Sequence, residues 1–245
     1  MRHSTKFFAF LFMVFPFLIS CVFTNQRTIY GDHQLINQLI DIDNYDKVIL
    51  NIPADVFYQQ FSDSAPYLQI HTDKNVFDAL DVRVENDQLI IETKKDSIIQ
   101  PSMLTIYMSS HNLSRVTVNG SGKIRLKGEV NAKDFRLDIV GSGNVQTDSL
   151  ICNTFAARIT GSGETQLKGA SNHGSFSIIG SGNIHAFDYF VQDLNCKITG
   201  SGNIEALVTK QLDVNVIGSG NLSYRGTPQS INNKIAGSGK VRSVQ

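Results

Sequence analysis

The sequence predicts an all-β protein: a single-stranded parallel β-helix, or solenoid, of about 20 residues per coil with Gly-Ser-Gly at one corner. Three observations carry this prediction. First, Gly-Ser-Gly begins at Gly120, Gly141, Gly161, Gly180, Gly200, Gly218 and Gly237, so successive copies lie 21, 20, 19, 20, 18 and 19 residues apart. Second, the flanks alternate with a period of two, which belongs to strands and not to helices. Two residues before each copy stand Val118, Ile139, Ile159, Ile178, Ile198, Val216 and Ile235; four residues after its first Gly stand Ile124, Val145, Thr165, Ile184, Ile204, Leu222 and Val241, all apolar but Thr165. Third, both glycines fall on the inward parity with Ser between them pointing outward, which suits a sharp bend between two short strands. Stacking like on like then gives aliphatic files inside and a Ser column, Ser121 through Ser238, outside. Asn144, Asn183, Asn203 and Asn221 share the next outward position, where each amide reaches its neighbour in the stack.

Taken in order, the chain begins with Arg2 and Lys6, then an apolar run from Phe7 to Ile19. At 13 residues the run is too short to cross a bilayer as a helix and fits the core of a signal peptide, residues 1–20. It ends Leu18-Ile19-Ser20-Cys21, which resembles the bacterial lipobox, and makes Cys21 the expected lipidation residue through its thiolate. The whole chain carries 22 basic and 22 acidic groups; losing Arg2 and Lys6 leaves 20 against 22, so membrane attachment would rest on acyl chains and not on a basic patch. Nothing in this balance points to nucleic acid. Residues 21–44 read as a tether, with Gln34 to Ile42 its first ordered piece.

Alternation starts at Lys47 with Val48, Leu50 and Ile52, breaks at Pro53, and resumes with Val56 and Tyr58. Asn75 to Leu80 reads as a single helical turn, and Asn86-Asp87 as a tight turn into Leu89 and Ile91. Leu104, Ile106 and Met108 lead directly into Val116 and Val118, so residues 45–119 are read as irregular coils continuous with the solenoid, or alternatively as an antiparallel cap over its first edge. Residues 120–245 are the seven repeat coils. At the far end Asn233 and Ser243 take inward positions and Lys240 and Arg242 outward ones, discouraging edge pairing.

The lipobox, the segment from Asp46 to Ile52, the phrase Asp87-Gln88-Leu89-Ile90-Ile91, and seven Gly-Ser-Gly units with Leu222-Ser223-Tyr224-Arg225-Gly226 resemble the head domain of the autotransporter-adhesin-like family of Bacteroidetes. The resemblance covers about Tyr45 to Gln245 and implies a right-handed parallel β-helix, often carried on a lipoprotein. It brings no functional residues with it.

Glycine-rich motifs of other kinds do not fit. A phosphate-binding loop needs Lys-Ser or Lys-Thr after its last Gly, whereas Lys123 precedes Ile124 and Lys240 precedes Val241. A nucleophile elbow spaces Ser from each Gly by one residue, and calcium nonapeptide repeats carry an Asp in each short repeat. Asp41, Asp43 and Asp46 lack the Gly turn and downstream bidentate carboxylate of a calcium loop. The six His show no ligand spacing, so no metal or cofactor is expected. Cys152 and Cys196 are expected as free thiols, Cys196 inward and Cys152 in a coil-to-coil connection. His185 and Glu205 share an offset one coil apart and can touch, as can Asp138 and Arg158, but the surrounding column is a solvated face without a cleft. The outward column before the bend, Asn119, Val140, Thr160, Ile179, Thr199, Ile217 and Ala236, is a β-branched strip. Val140, Thr160, Ile179, Thr199 and Ile217 are its candidate binding residues for a glycan, a protein or a second copy in a homo-oligomer; the plain alternative is that β-branched residues suit strands.

The function expected from the sequence is a non-enzymatic envelope lipoprotein, an adhesin or binding scaffold anchored in the outer membrane and facing the periplasm. A carbohydrate-active β-helix enzyme and a structural or self-assembling spacer are the alternatives. Against the enzyme stands the near-constant spacing of the repeats, which leaves little room for groove-building loops after Gly120.

Overall fold

The computed structural model describes residues 27–244 except 62 and 96. The proposed signal peptide and Cys21 lie outside the described residues. Strand makes up 75% of the chain against 2% helix, in a solenoid of about six turns of roughly 20 residues each, so the predicted class holds.

One turn shows how the sequence winds. After the corner Gly141-Ser142-Gly143, Val145 and Thr147 point inward; then Leu150 and Cys152; then Phe155, Ala157 and Ile159, and every one of these is buried. Inward residues are two apart within a wall but three apart from Thr147 to Leu150 and from Cys152 to Phe155. Those extra residues are where the strand register shifts or skips, between Leu126 and Glu129 and at Lys133 in the turn beneath. Each turn therefore has three strand segments and three corners, of which Gly-Ser-Gly is one. Cys152 sits in the second segment with its side chain inward, and not in a connection as expected.

The files stack as predicted. Ile139 pairs with Ile159, Ile159 with Ile178, Ile178 with Ile198, and Ile198 with Val216, all in parallel register. None of the five is more than 1% exposed. Thr165, the polar exception, is fully buried and donates its hydroxyl to the Val145 carbonyl at 2.9 Å, which removes the cost of burying it. Phe155 stands at the centre of an aromatic cluster, 6.0 Å from Phe135, 5.8 Å from Phe176 and 5.1 Å from Tyr189 between ring centroids.

The corner differs from expectation in one respect: only the second glycine is inward. Gly163 is buried, and a Cβ there would lie 2.6 Å from Ile139 Cγ2 and 2.8 Å from the Gly143 carbonyl oxygen. Gly161 has φ +123°, and a Cβ there would lie 2.4 Å from the Gly141 carbonyl oxygen of the turn below. The first position thus demands glycine for its backbone angle and for the approach of one turn to the next. Every Ser of the column is exposed.

Arg27–Tyr30, ahead of the piece from Gln34 that the sequence suggested, pairs in parallel with Ser97–Gln100. The first Gly-Ser-Gly turn rests on Lys47–Leu50, paired with Arg115–Gly120, and on Asp55–Gln60, paired with residues 123–127. Beneath these lie Gln88–Thr93 and Leu104–Ser110, also parallel. Leu104–Ser110 therefore does not adjoin Arg115–Gly120 in space; the rung 47–60 comes between them. Periodicity marks strands but not partners, and interiors of Val, Leu and Ile accept more than one order. Leu80–Glu85, joined to Gln88–Thr93 by the Asn86-Asp87 turn with φ 51° and 60°, and Tyr67–Asp73 with Leu35–Ile40 pair antiparallel at the base. Parallel and antiparallel pairs thus alternate in this part of the chain. The helical turn is Lys74–Phe77. At the other end all eight residues of Ser230–Gly237 are exposed, with Asn233 stacked over the buried Val214.

Candidate functional site

The walls hold their outward side chains in columns, so any site must be read along the stack. The β-branched strip is in register, Asn119 on Val140, Val140 on Thr160, Thr160 on Ile179, Ile179 on Thr199, Thr199 on Ile217 and Ile217 on Ala236. Val140 is 49% exposed, Ile179 40% and Ile217 47%, while Thr160 and Thr199 are half-buried. It is one residue wide, flanked by the Ser column and by Asp138, Arg158, Ser177 and Lys197, so its apolar area is a narrow file.

His185 lies between two carboxylates. Its Nδ1 is hydrogen-bonded to Glu205 Oε2 at 2.8 Å and its Nε2 lies 3.2 Å from Glu164 Oε1; contrary to the expectation of a face without a cleft, the three line a concavity of about 440 Å³ with Phe187 and Arg225. All three side chains are at least a third exposed, where ion pairs contribute about 0–1 kcal/mol. The expected contact of Asp138 with Arg158 is replaced by Arg136, whose Nε is 2.6 Å from Asp138 Oδ2, because residues i and i+2 share a face of the same strand. Asp46 accepts from the Ser114 hydroxyl at 2.9 Å and lies 3.3 Å from Lys47 Nζ, a structural use of a carboxylate. No cluster of three metal-ligating side chains occurs among the described residues. No helix among them is long and apolar enough to cross a membrane.

The amides form two ladders. Asn221 donates to Asn203 and Asn203 to Asn183, each at 3.0 Å, but Asn144 stacks on Glu164 and stands apart. A second ladder, unseen in the sequence, runs along the third corner: Gln192 to Asn172 at 3.0 Å and Asn172 to Asn153 at 2.9 Å. Both thiols are free and buried. Burial pushes the Cys152 thiol up, against a contact of 3.4 Å to the Tyr189 hydroxyl, and burial alone pushes Cys196 far up, so neither is a nucleophile at neutral pH.

A concavity missed by sequence reasoning lies near the base. Phe57 and Tyr107 occupy one outward column on adjacent strands and stack with centroids 5.3 Å apart and an interplanar angle of 17°. With Phe61, Tyr67, Gln59 and Gln69 they line a groove of about 410 Å³, and Lys127 stands on its rim. Tyr107 is 44% exposed, Phe61 43% and Tyr67 37%. Each aromatic was visible in the sequence, but the pairing of Phe57 with Tyr107, which makes them a surface, was not.

Residues 44–228 match the family model described as "Putative auto-transporter adhesin, head GIN domain". The fold is shared with a "putative adhesin" of Bacteroides fragilis, 22% identical, TM-score 0.84, covering 88% of this chain and all of that one. A "putative lipid binding protein" of Parabacteroides distasonis is 29% identical with TM-score 0.74, and a "putative adhesin" of the same organism 26% identical with TM-score 0.74; each match covers 89% of this chain and 100% of the other. No curated protein matches the sequence.

Proposed function

We propose that this chain, which belongs to the auto-transporter adhesin head-domain family, is a non-enzymatic binding module of the cell envelope, tethered to the outer membrane by a lipid on Cys21 and facing the periplasm. The observation that supports it best is a uniform solenoid in which, among the described residues, the His185–Glu164–Glu205 group is at least a third exposed in every member. Turns of nearly constant length leave little room for loops over the repeat walls, and His185 has its Nδ1 2.8 Å from Glu205 and its Nε2 3.2 Å from Glu164, carboxylates of the same wall. What the rod offers instead is surface: aligned columns, an exposed β-branched file and an aromatic groove near the base. A lipid ligand is a second reading, favoured by the name of the Parabacteroides distasonis neighbour.

Two experiments test the proposal. On a glycan array the purified chain is expected to be retained without releasing shortened products; released fragments would establish an enzyme. In cells, Cys21→Ser is expected to free the protein from the membrane fraction, and intact cells are expected to shield the wild-type protein from added protease. Membrane retention of the variant, or cleavage on intact cells, would overturn the anchor or the facing respectively.

A further inference from the structure

Resting on the binding reading above, the structure assigns a ligand class to the groove near the base: we propose that it binds oligosaccharides carrying carboxylate or sulfate groups. The groove is built where the chain departs from its repeat, from strands Asp55–Gln60, Tyr67–Asp73 and Leu104–Ser110, the part of the rod where parallel and antiparallel pairs meet. Exposed aromatic rings are costly to leave in water and are concentrated there. The Phe57–Tyr107 stack makes one wall. Phe61 and Tyr67 stack on no other ring among the described residues, which leaves their apolar faces available.

Between the rings stand planar amides. The Tyr67 hydroxyl donates to Gln69 Oε1, which leaves the Gln69 NH₂ to donate to a ligand; Gln59 is the other amide of the lining. Apolar planes interleaved with hydrogen-bonding amides match a pyranose, whose axial C–H groups form apolar faces and whose hydroxyls form a polar rim. An acyl chain would instead want a continuous aliphatic channel, and the one aliphatic side chain of the lining is Met108, which is 2% exposed. The volume also suits a small ligand.

Charge selects among saccharides. No acidic residue is among the described residues that line the groove. Lys127 stands on its rim, with its ammonium 3.2 Å from Asp148 Oδ2 and its side chain 45% exposed, so donors remain for a ligand. Arg125 is outside the groove's lining, on the neighbouring strand; it lies 5.9 Å from the Phe57 ring centroid and spends Nε and Nη2 on the neutral Gln146 amide oxygen, which keeps its charge beside the aromatic stack. An anionic sugar answers both cations.

The test is calorimetric titration of the purified chain with galacturonan, hyaluronan and heparin oligosaccharides, with cellohexaose and palmitate for comparison. At least one acidic oligosaccharide is expected to bind, cellohexaose and palmitate at least about tenfold more weakly, with binding weakened further by molar salt. Tyr107→Ala and Phe61→Ala, both at exposed positions and checked for an unchanged β signal by circular dichroism, are each expected to weaken it by roughly tenfold. Binding by none of the three acidic probes, equal binding of cellohexaose, preferred binding of palmitate, or affinities unchanged in both variants would overturn the assignment. Glycan binding that ignores both variants would sink the groove and leave the envelope-binding reading standing; shortened oligosaccharide products would sink the non-enzymatic reading while leaving the groove as the place of binding.

Discussion

Gly161→Ala places one methyl group at the most repeated point of the fold. Its Cβ would lie 2.4 Å from the Gly141 carbonyl oxygen and 3.2 Å from the carbonyl carbon, where an ordinary contact needs about 3.4 Å or more, so one turn must move by close to an ångström relative to the other. The Gly141 oxygen is backbone and already accepts the Ser162 N–H at 2.9 Å, so it cannot swing away without loosening that bond. A φ of +123° adds a conformational cost for any residue with a Cβ. The left-handed angle costs about 1–2 kcal/mol and the overpacking about 1–3, together about 2–5 kcal/mol. For a domain of this length that lowers the thermal midpoint by about 5–20 °C. The assay is thermal and urea unfolding followed by circular dichroism, with Ser162→Ala, an exposed neighbour in the same corner, as the control expected within about 0.5 kcal/mol of wild type. A Gly161→Ala protein as stable as that control would refute the close approach of successive corners.

Three further outcomes follow from the interior. Phe155→Ala removes the centre of the aromatic cluster and is expected to cost about 3–5 kcal/mol in urea unfolding, whereas Phe155→Leu is expected to cost less. Cys152 and Cys196 are expected to resist a thiol reagent in the native protein and to react, both of them, in denaturant; a fast native reaction would mean that the walls open. Asp73 is buried: burial pushes its carboxyl up, but hydrogen bonds from the Ser102 hydroxyl at 2.6 Å and from the N–H groups of Ser102 and His33 at 2.8 Å outweigh that and hold it below the usual carboxylate range. A lowered folded value means that its contribution is complete above the unfolded value of about 3.9 and is lost as pH falls below that. The thermal midpoint is therefore expected to drop in acid, and the gap between wild type and Asp73→Asn to narrow there; a gap that widens would contradict the sign.

The repeat part of the fold was legible because it is written several times over. Ile139, Ile159, Ile178 and Ile198 recur at one offset, and a single coincidence of parity would not survive seven copies. Thr165 looked like an exception and is not one, since its hydroxyl finds a carbonyl within the wall. The second amide ladder escaped notice because register shifts move its members, so that Asn153, Asn172 and Gln192 stand 12, 11 and 12 residues after the first Gly of their copies. Order in space was the harder matter. Leu104–Ser110 and Arg115–Gly120 are successive in the chain, yet Lys47–Leu50 and Asp55–Gln60 lie between them, and nothing in the alternation of apolar residues distinguishes one buried strand's partner from another's. The groove was hidden by the same fact. Phe57 and Tyr107 are far apart in sequence, and only the pairing of their strands brings two outward rings into one stack. The β-branched strip was legible as a column, because its residues belong to the repeat.

The account stands on successive corners lying one directly above the next, and paired cysteines measure that. In register, Ser162 lies beside Ser181 on the neighbouring turn, one rung of about 4.8 Å away, within the span a disulfide bridges. Ser162 and Ser201 are two rungs apart, about 9.6 Å, beyond it. Under mild oxidation the double variant Ser162→Cys with Ser181→Cys is expected to form an intramolecular disulfide by mass spectrometry, and Ser162→Cys with Ser201→Cys is expected to stay reduced. Bridging of the second pair in preference to the first would contradict the stacked solenoid.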